Sequence, residues 1–418
     1  MKSRENLDAL SRVRLVNVVT SSLSLRLFEG ELKYFERQGY EVTVVSSPGK
    51  ELNKAERDGV RTVAVSMARE ISPWKDLVSF WRLLRVIRRI WPTITNVGTP
   101  KAGLLGGLAA WLCRVPCRYY TLYGLRCETT TGLKRILLAL TERIACACAH
   151  RVICVSETLR QKAMTLGVVD ASRSVVLASG SCTGVDAKRF APTAEVLRRA
   201  EEIRYSLGIP ADAPVIGFVG RLTKDKGISE LVEAYLEVRK NMPDLRLLLV
   251  GEREEGDPLP ARTVWLLNNE RGILRTGFVQ DAADYYHAMD VLALPTYREG
   301  FPTVVLEVNA AGKPVVGTRA TGMMDAVIDG VTGVLVPVGD AHALADALEL
   351  VIRDRKLAEA LGAAGRERVL GEFRQETVWE ALAEEYLQLL QAKGLTVPDA
   401  ANRNDRTWEW KAVAVSSR

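Results

Sequence analysis

A chain of 418 residues, of which 47% are hydrophobic and 26% charged, is long enough for two domains that each bury a core. Residues 1–190 hold 30 Lys and Arg against 16 Asp and Glu, a net of +14, whereas the remainder carries a net of −8. The basic half indicates an anionic partner, such as a phosphorylated lipid or a membrane surface. Nucleic acid is not expected as a partner, because the sequence has neither zinc-ligand spacing nor a recognisable nucleic-acid-binding motif.

The cysteines, the first residues and the longest apolar run indicate the cellular compartment of the protein. The seven cysteines are odd in number, lie in one half and show no CxxC spacing, so we expect buried free thiols in a reducing cytoplasm. Residues 1–6 lack the apolar core of a signal peptide. The longest apolar run, Ala102 to Cys113, is too short to span a bilayer. These features predict a cytoplasmic protein.

Strands and helices alternate along the chain, which predicts parallel sheets. The first βα turn, Thr20 to Ser24, lacks the G-x-G-x-x-G dinucleotide fingerprint. Ser156 is placed to cap a helix. Strands are predicted over 13–19, 41–46, 60–65, 119–122, 152–155 and 215–219, and helices over 23–38, 195–207 and 377–390, with another starting near residue 228.

A basic loop follows the last of these strands. Gly220 ends the strand, and Arg221 and Lys226 come before the next helix. Arginine supplies a planar fork and lysine a point charge, and both bind phosphate. Ligands of open α/β sheets bind at the carboxyl ends of the strands, which favours a functional pair here. A solvated basic turn remains the alternative interpretation.

Two carboxylates, Glu299 and Glu307, enclose a short loop and a helix start. Pro302 suits the first position of a helix, where its missing N–H is not needed. The free N–H groups of that first turn, with the positive end of the helix dipole behind them, form an anion site. Such a segment can bind a sugar hydroxyl at one end, a diphosphate in the middle and a ribose at the other end.

In their order, these segments resemble the family 4 glycosyltransferases, which are retaining, nucleotide-sugar-dependent enzymes of the GT-B fold. The N-terminal half resembles one branch of that family, which builds surface polysaccharides and lipid-linked oligosaccharides, and the resemblance extends to about Gln391. The matching segments of the N-terminal half are 71–77, 99–106 and 180–186, and those of the C-terminal half are 220–221, 226–227, 250–251, 276–279, 299–307, 312–316, 330–333 and 336–337.

The resemblance implies an α/β protein of the GT-B fold, with two Rossmann-like domains whose parallel sheets face each other across a cleft. The N-terminal domain, over 1–190, is expected to bind the acceptor, and a linker over 191–210 leads to the nucleotide-sugar-binding domain over 211–375. A helix over 376–393 is expected to cross back to the N-terminal domain. The tail over 394–418 is expected to be poorly ordered.

The resemblance also assigns roles to single residues. Arg221, Lys226 and Glu299 are the expected catalytic residues, because the two cations neutralise the leaving diphosphate while Glu299 holds hydroxyls of the transferred sugar. Glu307 is expected to bind the ribose hydroxyls. Residues 277–279 are expected near the base, and backbone N–H groups of residues 301–304 near the sugar and diphosphate. The other expected donor-binding residues are Gly220, Gly277, Phe278, Val279, Gly300, Phe301, Pro302, Thr303 and Val304.

No metal or other cofactor is expected, because the sequence contains no Asp-x-Asp for a diphosphate-bound metal. The resemblance points to front-face transfer, in which the leaving phosphate takes the acceptor's proton. Glu299 acting as nucleophile or general base is the less favoured alternative.

The acceptor side departs from the family. Many relatives have a histidine where this chain has Tyr123, which can still donate a hydrogen bond to a sugar hydroxyl or can be a packed aromatic. The usual Gly-Gly of the first loop is replaced by Ser21-Ser22. His287 is interpreted as a helix-surface residue without a catalytic role. The expected acceptor-side residues are Ser21, Ser22, Lys101, Tyr123 and Arg126.

The predicted function is transfer of a hexose or N-acetylhexosamine from a nucleotide sugar, which is expected to be UDP-linked, to a polyprenyl-diphosphate-linked saccharide. A sugar-nucleotide 2-epimerase of the same fold is one alternative, and a non-catalytic nucleotide-sugar-binding relative is another. A missing histidine in the N-terminal cleft argues against the epimerase. The set of Arg221, Lys226, Glu299 and Glu307 argues against the non-catalytic relative.

The helix predicted over 77–91 bears on location. Residues 77, 80, 81, 84, 87 and 91 share a predicted apolar face, and Arg82, Arg85 and Arg89 flank it. We interpret the tryptophans at 74, 81, 91 and 111 as core residues and the arginine flank as a contact with an anionic membrane. The protein is therefore expected at the inner face of the plasma membrane, as a peripheral protein.

Overall fold

The computed structural model describes residues 13–68, 70, 72–254 and 256–395. The tail expected over 394–418 lies outside the described residues from position 396 onward. The described chain forms a seven-stranded and a six-stranded sheet, and neighbouring strands in both sheets are parallel. Two Rossmann-like domains, as expected from the sequence, are therefore confirmed.

The N-terminal sheet has the strand order β3-β2-β1-β4-β5-β6-β7. Its chain order reverses between β1 and β4, which is the kind of position where open α/β sheets bind ligands. β4 was not predicted, because Thr95 and Asn96 interrupt its apolar pattern. The strands are β1 (Arg14–Val18), β2 (Glu41–Ser46), β3 (Arg61–Ala64), β4 (Ile94–Gly98), β5 (Cys117–Leu122), β6 (Arg151–Cys154) and β7 (Ser174–Val175).

Helices connect these strands, and the helix predicted over 23–38 is divided into two. Gly30 separates its parts with φ +83°, and a Cβ at this position would lie 2.5 Å from the ring of Trp379. Two 3₁₀ helices cover Ser22–Phe28 and Arg126–Glu128. The α-helices are α1 (Glu31–Arg37), α2 (Lys50–Arg57), α3 (Pro73–Ile90), α4 (Pro100–Leu112), α5 (Gly132–Cys148) and α6 (Glu157–Thr165).

The C-terminal sheet has the order β10-β9-β8-β11-β12-β13. A 3₁₀ helix covers Lys224–Lys226. The strands are β8 (Val215–Val219), β9 (Arg246–Val250), β10 (Ile273–Gly277), β11 (Val291–Leu294), β12 (Val315–Thr318) and β13 (Val334–Val336). The helices are α7 (Ala194–Ser206), α8 (Ile228–Asn241), α9 (Ala261–Asn269), α10 (Ala283–Ala288), α11 (Thr303–Ala310), α12 (Met323–Ala326), α13 (Ala341–Arg353), α14 (Arg355–Glu372) and α15 (Gln375–Ala392).

Helix α15 packs on the N-terminal domain, although it follows the C-terminal domain in sequence. Its Tyr386 is fully buried, with ring centroids 4.9 Å from Tyr119 and 5.4 Å from Phe35. Asn96 Nδ2 donates to Tyr386 Oη at 2.8 Å, and Tyr119 Oη donates to the Glu385 carbonyl oxygen at 2.8 Å. Buried polar groups paired in this way hold the helix in one register.

The sequence interpretation of α3 is wrong in part. Leu84 and Ile87 are buried as predicted, but Leu77, Trp81 and Trp91 face outward. The four tryptophans assigned to the core are exposed, with Trp74 the most exposed at 82%. Apolar residues lie on both faces of the first half of this helix, so periodicity alone did not identify the buried one.

Two smaller expectations have different outcomes. His287 is buried, not on the helix surface, and its Nε2 lies 3.0 Å from the Phe190 carbonyl oxygen. The seven cysteines are free thiols that are buried or half-buried, as predicted. Among the described residues, no helix is long and apolar enough to cross a bilayer.

A buried carboxylic acid lies at the start of α1. Glu31 is 2% exposed, and its Oε1 has no hydrogen-bond partner among the described residues. It lines a cavity of about 10 Å³ together with Tyr123, Cys182 and Asn96. Burial raises the pKa of Glu31 to about 8. The folded protein therefore holds this side chain in its neutral form at neutral pH.

Glu31 predicts a pH dependence of stability. Since its folded pKa lies above the unfolded value, the folded state retains a proton that the unfolded chain loses, and stability falls as pH rises from about 4.5 to about 8. Each pH unit within this window costs about 1.4 kcal/mol. Glu31→Gln should lose this part of the slope in denaturant titrations, whereas exposed Glu36→Gln on the same helix should keep it. Parallel pH profiles for wild type and Glu31→Gln would contradict the assignment.

Candidate active site

A cleft of about 1480 Å³ lies between the two domains. The N-terminal wall includes Arg26, Lys33 and Lys54, which follow β1 and β2 in the chain. The opposite wall is built from loops at the carboxyl ends of the C-terminal strands. Seven of the sequence-predicted donor-side residues line it: Gly220, Arg221, Phe278, Val279, Thr303, Val304 and Glu307.

The N-terminus of α11 opens into this cleft. The helix begins at Thr303, one residue later than the sequence suggested, so Pro302 is its N-cap and not its first helical residue. Proline has no side-chain acceptor, and within the described part of the chain no side chain caps this helix end. The N–H groups of Thr303 and Val304 lie in the first turn, where they have no intrahelical partner. They are therefore available, together with the helix dipole, to an anion in the cleft.

Glu307 lies one turn further along α11 and is half-buried in the wall of the cleft. Tyr286 of α10, itself fully buried, donates a hydrogen bond from Oη to Glu307 Oε2. Burial raises the pKa of Glu307, although the hydrogen bond from Tyr286 and the nearby Arg189 act in the opposite direction. A half-buried carboxylate of this kind can accept hydrogen bonds from further donors in the cleft, such as a pair of sugar hydroxyls.

The two predicted phosphate-binding cations are ion-paired in the structure. Arg221 is half-exposed and pairs with Glu254 on the loop after β9. Lys226 Nζ lies 2.5 Å from Glu299 Oε1, and both side chains are largely shielded from solvent. Lys226 and Glu299, both predicted catalytic residues, are therefore brought together, although neither lines the wide part of the cleft.

The two domains are in close contact at Gly300. A Cβ at this position would lie 1.9 Å from the Tyr123 carbonyl oxygen of the loop after β5. Ser156 Oγ, which also caps α6, donates to the Gly300 carbonyl oxygen at 2.7 Å. Phe301 and Pro302 are buried behind this contact, and the ring of Phe301 packs on Phe373 at 5.4 Å. Predicted donor-side and acceptor-side residues meet here.

Tyr123 is half-buried at this contact, and burial raises its pKa well above the usual value for tyrosine. Its hydroxyl therefore stays protonated and keeps a hydrogen to donate. Arg126 starts the 3₁₀ helix that follows the same loop. Tyr123 is thus a neutral donor whose backbone lies close to the C-terminal domain at Gly300.

The other predicted acceptor-side residues have structural partners. Lys101 Nζ lies 2.6 Å from Asp76 Oδ1, which ties the start of α4 to α3. Ser21 caps the 3₁₀ helix at Ser22–Phe28, its Oγ accepting from the Leu23 N–H at 3.3 Å. The Ser22 hydroxyl packs against the backbone at Gly49. None of these three side chains lines the wide cleft.

Sequence reasoning missed several residues of the site. The Arg26 guanidinium carbon lies 5.6 Å from the centroid of the half-exposed Phe278 ring, across the cleft. Arg298 Nη2 pairs with Asp225 at 2.9 Å, and its Nε donates to Thr129 Oγ1 of the N-terminal domain at 2.9 Å. Each of these pairs joins segments that are far apart in the sequence, so the pairing could not be predicted from local pattern. The only local indication of a role in the site was that Arg298 is next to Glu299.

Arg298 also affects the ionisation of Asp225. Burial would raise the pKa of Asp225, but the hydrogen bond from Thr223 and the charge of Arg298 outweigh burial and hold the pKa below its usual value. Asp225 therefore stays ionised and anchors Arg298 at the contact between the domains.

Two family models match the chain. The model for glycosyl transferases group 1 covers residues 199–368, and the glycosyl transferase 4-like domain covers residues 29–180. Among solved structures, the complex of Anabaena HepE with UDP and glucose has a TM-score of 0.75 at 20% identity, over 90% of this chain and 100% of that chain. WaaG, a glycosyltransferase involved in lipopolysaccharide biosynthesis, has a TM-score of 0.67 at 14% identity, over 88% and 98%. These likenesses support the GT-B fold.

Curated relatives extend the match over most of the chain. The chain is 27% identical over 361 residues to the UDP-Gal:alpha-D-GlcNAc-diphosphoundecaprenol alpha-1,3-galactosyltransferase of Escherichia coli, covering 85% of this chain and 91% of the relative. It is 35% identical over 378 residues to the capsular polysaccharide biosynthesis glycosyltransferase CapM of Staphylococcus aureus, covering 90% of this chain and 98% of the relative. With this coverage, and with both family models in the expected domains, the chain belongs to the group 1, family 4-like glycosyltransferases of the GT-B fold.

Proposed function

We propose that this glycosyltransferase moves a hexose or N-acetylhexosamine from a UDP-sugar to a polyprenyl-diphosphate-linked saccharide, in the biosynthesis of a capsule or another surface polysaccharide. The observation that carries the donor side is the N-terminus of α11, which has no side-chain cap among the described residues, with Arg221 and the half-buried Glu307 in the same cleft. The names of the S. aureus and E. coli relatives support the pathway, the UDP-linked donor and the lipid-linked acceptor.

In this proposal the diphosphate lies at the start of α11. The N–H groups of Thr303 and Val304 donate to phosphate oxygens, and Arg221 and Lys226 supply positive charge. As the bond from the anomeric carbon to the phosphate oxygen breaks, negative charge grows on the leaving UDP. Fixed donors stabilise that charge without reorganising, which lowers the barrier. Gly220 leaves room for the phosphates, since it carries no side chain.

Glu307 binds the two ribose hydroxyls, and Tyr286 orients it for this task. Tyr286 Oη donates to one carboxylate oxygen, so the second oxygen remains for the ribose. The uracil lies against Phe278, between Gly277 and Val279. Gly300, Phe301 and Pro302 contribute backbone and shape to the sugar site and the diphosphate site.

Glu299 holds hydroxyls of the transferred sugar and also keeps Lys226 in place through their ion pair. The acceptor hydroxyl attacks the anomeric carbon on the face from which UDP departs, and its proton passes to the leaving phosphate oxygen. The new glycosidic bond then retains the configuration of the donor. Transfer of this kind needs no separate general base.

The acceptor enters on the side of Tyr123, whose protonated hydroxyl donates to a sugar oxygen. Arg126 contributes charge for the acceptor diphosphate. Ser21, Ser22 and Lys101 shape the surrounding loops through the contacts described above. A polyprenyl-linked acceptor stays in the membrane, so the enzyme works as a peripheral protein at the inner face of the plasma membrane.

The diphosphate contacts predict the effect of removing a cation. Arg221→Ala or Lys226→Ala should lower turnover by about 100-fold or more, as loss of one donor to a developing anion does. Lys224→Ala, which removes an exposed cation from the same loop, should leave turnover near that of wild type. Steady-state kinetics with purified enzyme and a short-chain acceptor analogue measure both. Activity that is lost in EDTA and restored by magnesium would contradict a metal-independent diphosphate site.

The ribose contact predicts weaker nucleotide binding in Glu307→Gln. The variant loses a charge-assisted hydrogen bond worth roughly 1.5–3 kcal/mol. Titration calorimetry with free UDP should show this loss. Glu299→Gln is the matched control, because it should depress turnover more than UDP affinity. Equal UDP affinity in wild type and Glu307→Gln would rule out the ribose role.

A further inference from the structure

An apolar stripe runs along the outer side of α5. Leu133, Ile136, Leu137, Leu140 and Ile144 are exposed, and Leu133 and Ile136 reach 85% and 65%. Their spacing of three and four residues places them on one face of the helix. The opposite face packs into the domain core through Ala145 and Cys146. A surface helix ordinarily presents polar residues to solvent. The exposed apolar face of α5 therefore indicates a binding partner.

A second apolar patch lies on the first half of α3. Trp74, Leu77, Val78 and Trp81 are exposed by about half or more. Helix α3 packs on α4, and α4 packs on α5, so the three helices form one layer on the same side of the N-terminal sheet. We call the exposed apolar residues of the stripe on α5 and of the patch on α3 together the α3–α5 surface: Trp74, Leu77, Val78, Trp81, Leu133, Ile136, Leu137, Leu140 and Ile144.

The exposed charges on α3 and α5 themselves have one sign. Of the two acidic residues on α3 and α5, Asp76 is paired with Lys101, and Glu142 is buried and accepts a hydrogen bond from Tyr120 at 2.6 Å. The exposed cations on the same two helices are Lys75, Arg82, Arg85, Arg88, Arg89, Lys134, Arg135 and Arg143. The partner must therefore combine apolar and anionic chemistry.

We propose that the α3–α5 surface binds an anionic lipid bilayer, with its leucines, isoleucines and tryptophans inserted at the interface. Side chains of this kind bury apolar area among the acyl chains, while arginine and lysine remain at the headgroups. A second copy of the chain fits less well, because a symmetric contact would bring two sets of cations together.

The stripe begins beside the contact between the domains. Leu133 follows shortly after Thr129, which accepts a hydrogen bond from Arg298, the neighbour of Glu299. Glu128, in the same loop, accepts from Thr321 Oγ1 of the C-terminal domain at 2.6 Å. In a parallel sheet the helices that follow the strands start at the carboxyl edge, so α3 and α5 both start on the cleft side.

A bilayer on this surface therefore lies next to the acceptor side of the cleft. This orientation rests on the proposed function, since it matters for catalysis only if the acceptor is lipid-linked. The lipid anchor then stays in the membrane while its diphosphate and saccharide reach Tyr123 and Arg126.

Vesicle sedimentation tests the proposal with the full chain. The probes are vesicles of phosphatidylcholine alone and of phosphatidylcholine with phosphatidylglycerol. An apolar variant carries Leu133→Ser, Ile136→Ser and Leu140→Ser, and a charge variant carries Arg82→Gln, Arg85→Gln and Arg89→Gln. The matched control changes exposed apolar residues of the other domain: Trp265→Ser and Leu350→Ser. All of these side chains are exposed, and circular dichroism with thermal unfolding checks that each variant folds as wild type does.

Wild type and control should sediment with the anionic vesicles. Each cation near an anionic surface contributes roughly five-fold in affinity, so the charge variant should bind about 100-fold more weakly. The apolar variant should bind at least about ten-fold more weakly. Raised salt should release the variant protein that is still bound to the vesicles. Equal vesicle binding by wild type and the apolar variant would overturn the proposal. A wild-type dimer that the apolar variant abolishes, without vesicle binding, would assign the surface to a second copy.

Transfer to a short-chain, water-soluble acceptor analogue separates this proposal from the proposed function. The apolar and charge variants should keep wild-type turnover on that analogue and lose it on the full-length acceptor in vesicles. Vesicle binding without transfer to any lipid-diphosphate acceptor would refute the proposed function. The proposal that the α3–α5 surface binds a bilayer would not be affected. If wild type and the apolar variant transferred sugar to the vesicle-borne acceptor at the same rate, the proposed bilayer contact would be refuted. The proposed function would not be affected.

Discussion

The approach of the C-terminal domain to Tyr123 at Gly300 is the constraint on which the site depends. No side chain fits at this position, because a Cβ would lie 1.9 Å from the Tyr123 carbonyl oxygen, and Ser156 holds the Gly300 carbonyl oxygen at 2.7 Å. Gly300 separates Glu299 from the helix start at Thr303. The contact therefore fixes Glu299 and the N-terminus of α11 relative to the N-terminal domain.

Ion pairs balance positive charges around the cleft. Lys226 pairs with Glu299, Arg221 with Glu254, and Arg298 with Asp225, so cations close to the cleft are matched by carboxylates before any ligand arrives. In the proposed function, a diphosphate joins groups that are already held in place, which reduces the reorganisation that binding and bond cleavage require. The carboxylates restrain the cations without removing their charge.

Sequence reasoning succeeded where chemistry follows from local pattern. Arg221 and the start of α11 lie at strand ends, and the βα rule places such positions at one edge of a sheet. It failed where a contact joins distant segments, as for Tyr286 on Glu307, or where both faces of a helix are apolar, as for Trp81 on α3. Strand β4 was missed because its polar Asn96 is satisfied by Tyr386, nearly three hundred residues away.

The placement of α15 has a consequence for how the chain is made. This helix supplies Tyr386 and Leu390 to the core beneath the N-terminal sheet, yet it comes after the whole C-terminal domain in the sequence. Synthesis runs from the N-terminus, so the core of the N-terminal domain cannot be completed until α15, the last helix, has been made. The C-terminal domain is made entirely within that interval, so folding of the first domain finishes last, although its sequence emerges first.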